Sequence, residues 1–92
     1  MKARKIEKKT WPKLFNEIIK GNKTFDLRLG DFKCKKGDTL LLREWDPKVK
    51  KYTGRKIEKK ITFVIRTDNI KFWTKKEIER HGFQIMSLEK PF

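Results

Sequence analysis

Cysteine is almost absent from this sequence. The 92 residues include one, Cys34, so no internal disulfide can form, which fits a reducing, cytoplasmic setting. Histidine is equally scarce, with His81 alone. One cysteine and one histidine do not make a zinc site of the usual kind, and no cofactor is expected. No apolar run approaches membrane-spanning length. The start, Met1-Lys2-Ala3-Arg4-Lys5, is basic, but no long apolar stretch follows it, so it does not read as a signal peptide. The sequence also lacks a glycine-rich phosphate loop of Walker or Rossmann type, an internal repeat and a low-complexity linker. Acidic residues are the last shortage, 12 against 26 Lys and Arg.

That imbalance gives a formal net charge of +14. Such an excess repels itself and disfavours compaction, and a polyanion is the usual partner that offsets it. Acidic membrane surfaces are the rival partner, and lysine enrichment from a hot habitat or an AT-rich genome is the reading without a partner. Charged residues make up 41% of the chain and hydrophobic ones 36%, a balance found in disordered chains. Seven Phe, three Trp and one Tyr argue against disorder, because they fall at regular spacings among Leu and Ile. The length suits one compact domain spanning residues 1–92, with a thin core.

The spacing predicts the elements in turn. Residues 3–9 suit a first strand. Trp11, Leu14, Phe15, Ile18 and Ile19 recur on one face of a helix, with Thr10 as the expected cap, Pro12 in the first turn and Gly21 at the stop. In Thr24-Phe25-Asp26-Leu27-Arg28, Phe25 and Leu27 alternate with polar neighbours, as in a half-buried strand. Gly30-Asp31 and Lys36-Gly37-Asp38 read as turns. Residues 39–45 form a central strand, a loop opens at Asp46-Pro47 and closes near Gly54, and residues 56–66 complete a hairpin with a basic tip. Thr74 and Glu77 form a capping box, with Trp73 and Ile78 placed as a hydrophobic staple. His81 and Gly82 end that short helix, and residues 83–88 form a last strand. The order β-α-β-β-β-α-β is too compact for a doubly wound sheet. It predicts an α+β fold, a small mixed or antiparallel sheet curled into a barrel with two short helices.

Three constellations carry candidate chemistry. In the first, Asp26 and Arg28 share one strand parity with Lys23 at its start. Arg28 would grip a phosphate or base edge and Asp26 would orient it, or a dry Lys23 would become a base. An exposed strand with a weak ion pair is the bland alternative. In the second, Arg43, Trp45, Tyr52 and Arg55 flank a loop, and residues 48–60 carry seven basic residues against Glu58 alone. Rings among cations suit single-stranded nucleic acid, and a solvated hairpin tip with both rings over the core suits the same residues. In the third, Ile70-Lys71-Phe72-Trp73, core and staple outweigh a ligand platform. His81 has no Ser, Cys or Asp beside it in a nucleophilic arrangement and reads as a helix-ending residue.

A helix followed by Gly21, Lys23, Asp26 and Arg28, then the Gly37-Asp38 turn into Leu40-Leu41-Leu42-Arg43-Glu44-Trp45-Asp46 and Tyr52-Thr53-Gly54-Arg55, resembles the ASCH domains of the PUA-like superfamily. The resemblance covers residues 5–88. It implies a small β-barrel with helices against it, a basic cleft beside the G-x-K-x-x-D-x-R strand, and RNA binding. It also implies an enzyme as the alternative, since related small members are amidohydrolases acting on N4-acetylcytidine and nucleases occur in the group. Lys23 matches the catalytic lysine of the amidohydrolases. Asp26 stands where their threonine stands, a departure that points toward binding.

The expected function is therefore nucleic-acid binding, RNA first, through Lys23, Asp26, Arg28, Arg43, Trp45, Tyr52 and Arg55. The alternative is a small hydrolase on a modified nucleoside or RNA with Lys23 and Asp26 catalytic. A third reading is a protein-interaction module for an acidic partner. No membrane partner is expected, a monomer is the default, and the sequence does not separate RNA from DNA.

Overall fold

The computed structural model describes residues 2–69 and 71–89; Met1 and Ile70, named above, lie outside them. The chain runs through β1 (Lys5–Thr10), α1 (Pro12–Ile19), β2 (Thr39–Asp46), β3 (Lys51–Lys60), a single 3-10 turn (Thr67–Asn69) and α2 (Lys75–His81). The three strands form one mixed sheet in the order β1-β2-β3. β1 pairs parallel with β2, and β2 pairs antiparallel with β3.

β1 and β2 are joined by a crossover containing α1, as a parallel pair requires. Pro12 opens α1 with its fixed φ and missing N–H. Thr10 does not cap the helix: the capping position is Trp11, whose side chain makes no capping bond. Thr10 ends β1, and its hydroxyl accepts from Arg28 instead. At the far end Gly21 takes a φ of 84°, a conformation that side chains resist. The chain thereby folds back until the N–H groups of Asn22 and Lys23 both donate to the Glu17 carbonyl, which holds Lys23 at the foot of the helix.

Strand alternation divides the sheet residues between two faces. Ile6, Leu40, Leu42 and Ile57 point toward α1, where Ile18 packs into the same cluster with Ile61. Phe15 is also fully buried, with the Arg55 guanidinium 5.0 Å from its ring centre. The other face, carrying Lys5, Glu7, Lys9, Leu41, Arg43 and Trp45, has no helix packed on it among the described residues. The turn into β2 is held by Asp38, whose buried carboxylate accepts from the backbone N–H groups of Arg4 and Lys35.

The observed hairpin is longer toward its tip than expected. Its loop is only residues 47–50, with Lys50 in a left-handed conformation at φ 55°. β3 begins at Lys51 and stops at Lys60, so Phe63 and Ile65 lie beyond the ladder. Residues 24–28 and 83–88 were expected as strands; neither pairs with the sheet. Among the described residues the architecture is thus α+β, an open three-stranded mixed sheet with two helices. Leu27, Phe63, Ile85 and Leu88 are exposed, so the apolar parity that marks these stretches is not used against the core. The capping box of α2 forms as expected: Glu77 N donates to Thr74 Oγ1 at 3.1 Å, and Thr74 N donates to Glu77 Oε1 at 2.8 Å. Trp73 sets its ring edge-on against Phe72 and Phe83. Among the described residues no helix is long and apolar enough to cross a membrane.

Candidate functional site

The expected site residues divide into two groups on opposite faces of the sheet, joined through β1. The first group is the motif segment. Arg28 reaches over the β1 edge as a strap. Its Nε donates to Asp26 Oδ2 at 2.6 Å and its NH2 to Oδ1 at 3.3 Å. Its NH1 donates to the Lys9 carbonyl at 2.9 Å and its NH2 to Thr10 Oγ1 at 3.2 Å. A fork engaged on both sides positions backbone rather than waiting for an anion. The segment after α1 is held to β1 by this side chain where a sheet ladder was expected.

Lys23 is drawn inward beside it. Its side chain is only 10% exposed, and its ammonium donates to the Phe25 carbonyl at 2.6 Å. Asp26 Oδ1 lies 3.7 Å away, and the ammonium sits 4.8 Å from the Phe25 ring centre. Burial lowers the Lys23 pKa below its ordinary value; Asp26 opposes that shift and Arg28 adds to it. An open cleft of about 380 Å³ does lie beside the motif, lined by Gly21, Asn22, Thr24, Ser87, Leu88 and Glu89. Lys23, Asp26 and Arg28 are not among its walls.

On the same face, one strand inward, is a cluster that the sequence reading missed. Glu44 is 3% exposed and pairs in register with Thr10. Its Oε1 accepts from Thr53 Oγ1 at 2.5 Å and from Arg55 Nε at 2.8 Å, and its Oε2 accepts from Arg55 NH2 at 2.7 Å. Arg55 NH2 also donates to Asn16 Oδ1 of α1 at 2.7 Å. A bulge makes this convergence possible. Arg43 pairs with Lys56 and Trp45 with Tyr52, so Glu44 alone faces three residues of β3. Gly54, at φ 98°, absorbs the kink and turns both Thr53 and Arg55 toward the one carboxylate. Hydrogen bonds from Arg55 hold the Glu44 carboxyl below its usual pKa, with burial opposing and Thr53 assisting. The available signal was parity: Glu44 shares the strand face of Leu40 and Leu42, and a carboxylate in an apolar register marks a buried, paired group.

Arg55 is thereby parted from Arg43, Trp45 and Tyr52, with which it was expected to line one groove. Those three belong to the second group, on the uncovered face. Arg43 stacks its guanidinium 3.8 Å from the Tyr52 ring centre and pairs with Glu7 at 3.0 Å. Lys9, absent from the expected set, holds its ammonium 4.5 Å from the Trp45 ring centre and 5.9 Å from that of Tyr52. Lys5 pairs with Glu58 at 3.0 Å farther along the same face. Position 9 was legible only as one more lysine, because its proximity to Trp45 depends on the parallel pairing of β1 and β2.

A family model matches residues 6–77, more than three quarters of the chain, spanning β1, the strap, the hairpin and the start of α2. The chain belongs to the DUF3850 family. The family is described as a domain of unknown function. A similar protein is the uncharacterized 12.9 kDa protein in the GpA 3′ region of Escherichia phage P2, 41% identical over 64 residues. That match covers 70% of this chain and 57% of the phage protein, so the chain spans little more than half of its relative's length. No solved structure matches. Among the described residues no three His, Cys, Asp or Glu side chains gather as a metal site.

Proposed function

We propose that this DUF3850 chain binds nucleic acid, RNA first, on the uncovered face of its sheet. The observation that carries the reading is that face itself: Lys9 and Arg43 set against Trp45 and Tyr52, on a chain of net charge +14. Cations interleaved with rings, here an exposed Tyr52 and a half-buried Trp45, suit a phosphate backbone with unstacked bases. The preference for RNA rests on the resemblance to ASCH domains. So does the finer fold, a PUA-like barrel. The bond from Thr24 N to Ser87 Oγ, 3.1 Å long, supports closure, because it brings the two stretches expected as further strands side by side.

The motif residues take a different part in this reading. Arg28 positions the Lys9 backbone and Asp26 holds Arg28, so both act through β1. The test is fluorescence anisotropy of labelled single-stranded RNA, double-stranded RNA and matching DNA across a salt series. Binding with log affinity falling linearly in log salt, and a preference that survives moderate salt, supports a site. Weak binding lost equally for all three polymers refutes it.

A hydrolase reading is favoured by one observation, the buried Lys23 with its lowered pKa beside Asp26. Against it, both Asp26 oxygens already accept from Arg28, which gives the carboxylate a structural part in holding the strap. Turnover of an acylated nucleoside or of RNA that Lys23→Ala abolishes without unfolding the chain would establish it. Absence of turnover across these substrates would dismiss it.

A further inference from the structure

We infer that the uncovered face takes a single strand, stacking an unpaired base on Trp45 in the place that the Lys9 ammonium holds in the free protein. The inference rests on the nucleic-acid reading above and names the form of the polymer and the residue that yields to it.

Three features of the face point this way. Trp45 and Tyr52 are a cross-strand pair, so both side chains leave the same part of one face, and both rings lie within 5.9 Å of the Lys9 ammonium. The bulge at Gly54 falls immediately after Tyr52, and such a bulge bends its strand and re-aims neighbouring side chains. The two cations over these rings are held differently. Arg43 is anchored, because Glu7 pairs with it at 3.0 Å. Lys9 is not: among the described residues its ammonium has no carboxylate partner, and its contacts are the two rings. Yet the Lys9 backbone is pinned, since its carbonyl accepts from Arg28 NH1 at 2.9 Å. A fixed root with a loosely held head describes a side chain that can move aside without moving the strand.

The magnitudes decide which occupant wins. An exposed cation over a ring is worth roughly a 2- to 5-fold preference. A base stacked on an aromatic side chain is worth roughly 5- to 150-fold. The base therefore displaces the ammonium, and the ammonium, still tethered beside it, is free to meet a phosphate. A duplex gains none of this, because its bases are already stacked and paired inside the helix.

The chain has three tryptophans, and Trp11 and Trp73 are both more than half exposed. Trp11→Phe with Trp73→Phe leaves Trp45 as the sole indole reporter. That protein is titrated with an oligouridylate of about ten nucleotides, and separately with an RNA duplex of mixed sequence. Saturable quenching of Trp45 by the single strand, with little by the duplex, is the expected result. Trp45→Leu in the natural chain then weakens single-strand binding about 5-fold or more and leaves duplex binding unchanged. Tyr52→Leu gives a second reading should Trp45→Leu fail to fold by circular dichroism. Lys9→Met removes the charge but keeps the length; it should lower the salt slope by about 0.7, the share of one phosphate on a single strand. Binding of both polymers with no Trp45 quenching and no loss in either leucine variant overturns this inference and leaves nucleic-acid binding standing. No binding of either polymer at low salt, in the unmodified chain, overturns the reading beneath it.

Discussion

Replacing Glu44 by glutamine tests the buried cluster with almost no change in shape. The carboxylate accepts three hydrogen bonds, from Thr53 Oγ1, Arg55 Nε and Arg55 NH2. An amide has one acceptor oxygen. Placed at the Oε1 position, it keeps Thr53 and Arg55 Nε, and its own NH2 then faces the Arg55 NH2, donor against donor. One bond to a charged group is lost, worth about 1.5–3 kcal/mol, and the bond from Thr53 falls to neutral strength, about 1 kcal/mol, while Arg55 Nε still donates as a cation. The amide is cheaper to bury than the carboxylate, which returns part of that sum. The net expectation is a loss of about 2–4 kcal/mol at neutral pH. In a domain of this size such a loss lowers the Tm by roughly 10–25 °C. The sign with pH follows from linkage. The folded pKa of Glu44 lies below the ordinary 4.5, so its stabilisation is complete above that value and fades as pH falls through the folded pKa. The difference between the two proteins should therefore shrink in acid. Urea unfolding followed by far-ultraviolet circular dichroism, at neutral pH and at about pH 3, measures both. A neutral-pH difference under about 0.5 kcal/mol, or one that persists undiminished in acid, would refute the account of the cluster.

Lys23→Met should give a protein whose stability is flatter with pH than the parent's. The parent's Lys23 pKa is lowered from 10.5, so the unfolded chain binds more protons between the folded pKa and 10.5, and stability rises with pH across that window; parallel profiles for the two proteins would count against burial as the cause. Leu42→Ala removes a core side chain that is 2% exposed and should cost about 3–4 kcal/mol in chemical denaturation, and a loss below about 1 kcal/mol would mean the core is not where the sheet places it. Gly54→Ala meets no atoms within 4 Å but must hold a φ of 98°, so strain alone should cost about 1–2 kcal/mol and shift the Trp45 emission as the bulge relaxes. Arg28→Ala should expose residues 23–29 to limited proteolysis and weaken nucleic-acid binding more than Lys50→Ala does, with equal effects of the two indicating diffuse charge instead of a positioned strand.

Much of the scaffold was legible because it depends on local chemistry. Apolar spacing marked α1, the Leu40-Leu41-Leu42 run marked β2, and the Thr74–Glu77 pair marked the start of α2. Pro12 and Gly21 act where their backbone preferences say they must. The loop ending near Gly54 was misread, because a glycine at positive φ suits a loop closure and a strand bulge equally well, and only the partner strand distinguishes them. Residues 24–28 and 83–88 carry strand alternation, but alternation records which side chains share a face and says nothing about whether another strand lies alongside. Thr10 has the chemistry of a helix cap, and it is Arg28, 18 residues later in the chain, that claims its hydroxyl.

The candidate site shows the same division. Charge, aromatic content and the spacing of Lys23, Asp26 and Arg28 are properties of the sequence alone, and they nominate a polyanion as partner and a set of candidate residues. Which of those residues face each other is a property of pairing. The parallel register of β1 on β2 brings Lys9 to Trp45 and Thr10 to Glu44, and the bulge in β3 sets both Thr53 and Arg55 opposite Glu44. These contacts join residues 9 to 43 positions apart. Local preference cannot specify them, because their free energy appears only when burial of the core brings the strands into register.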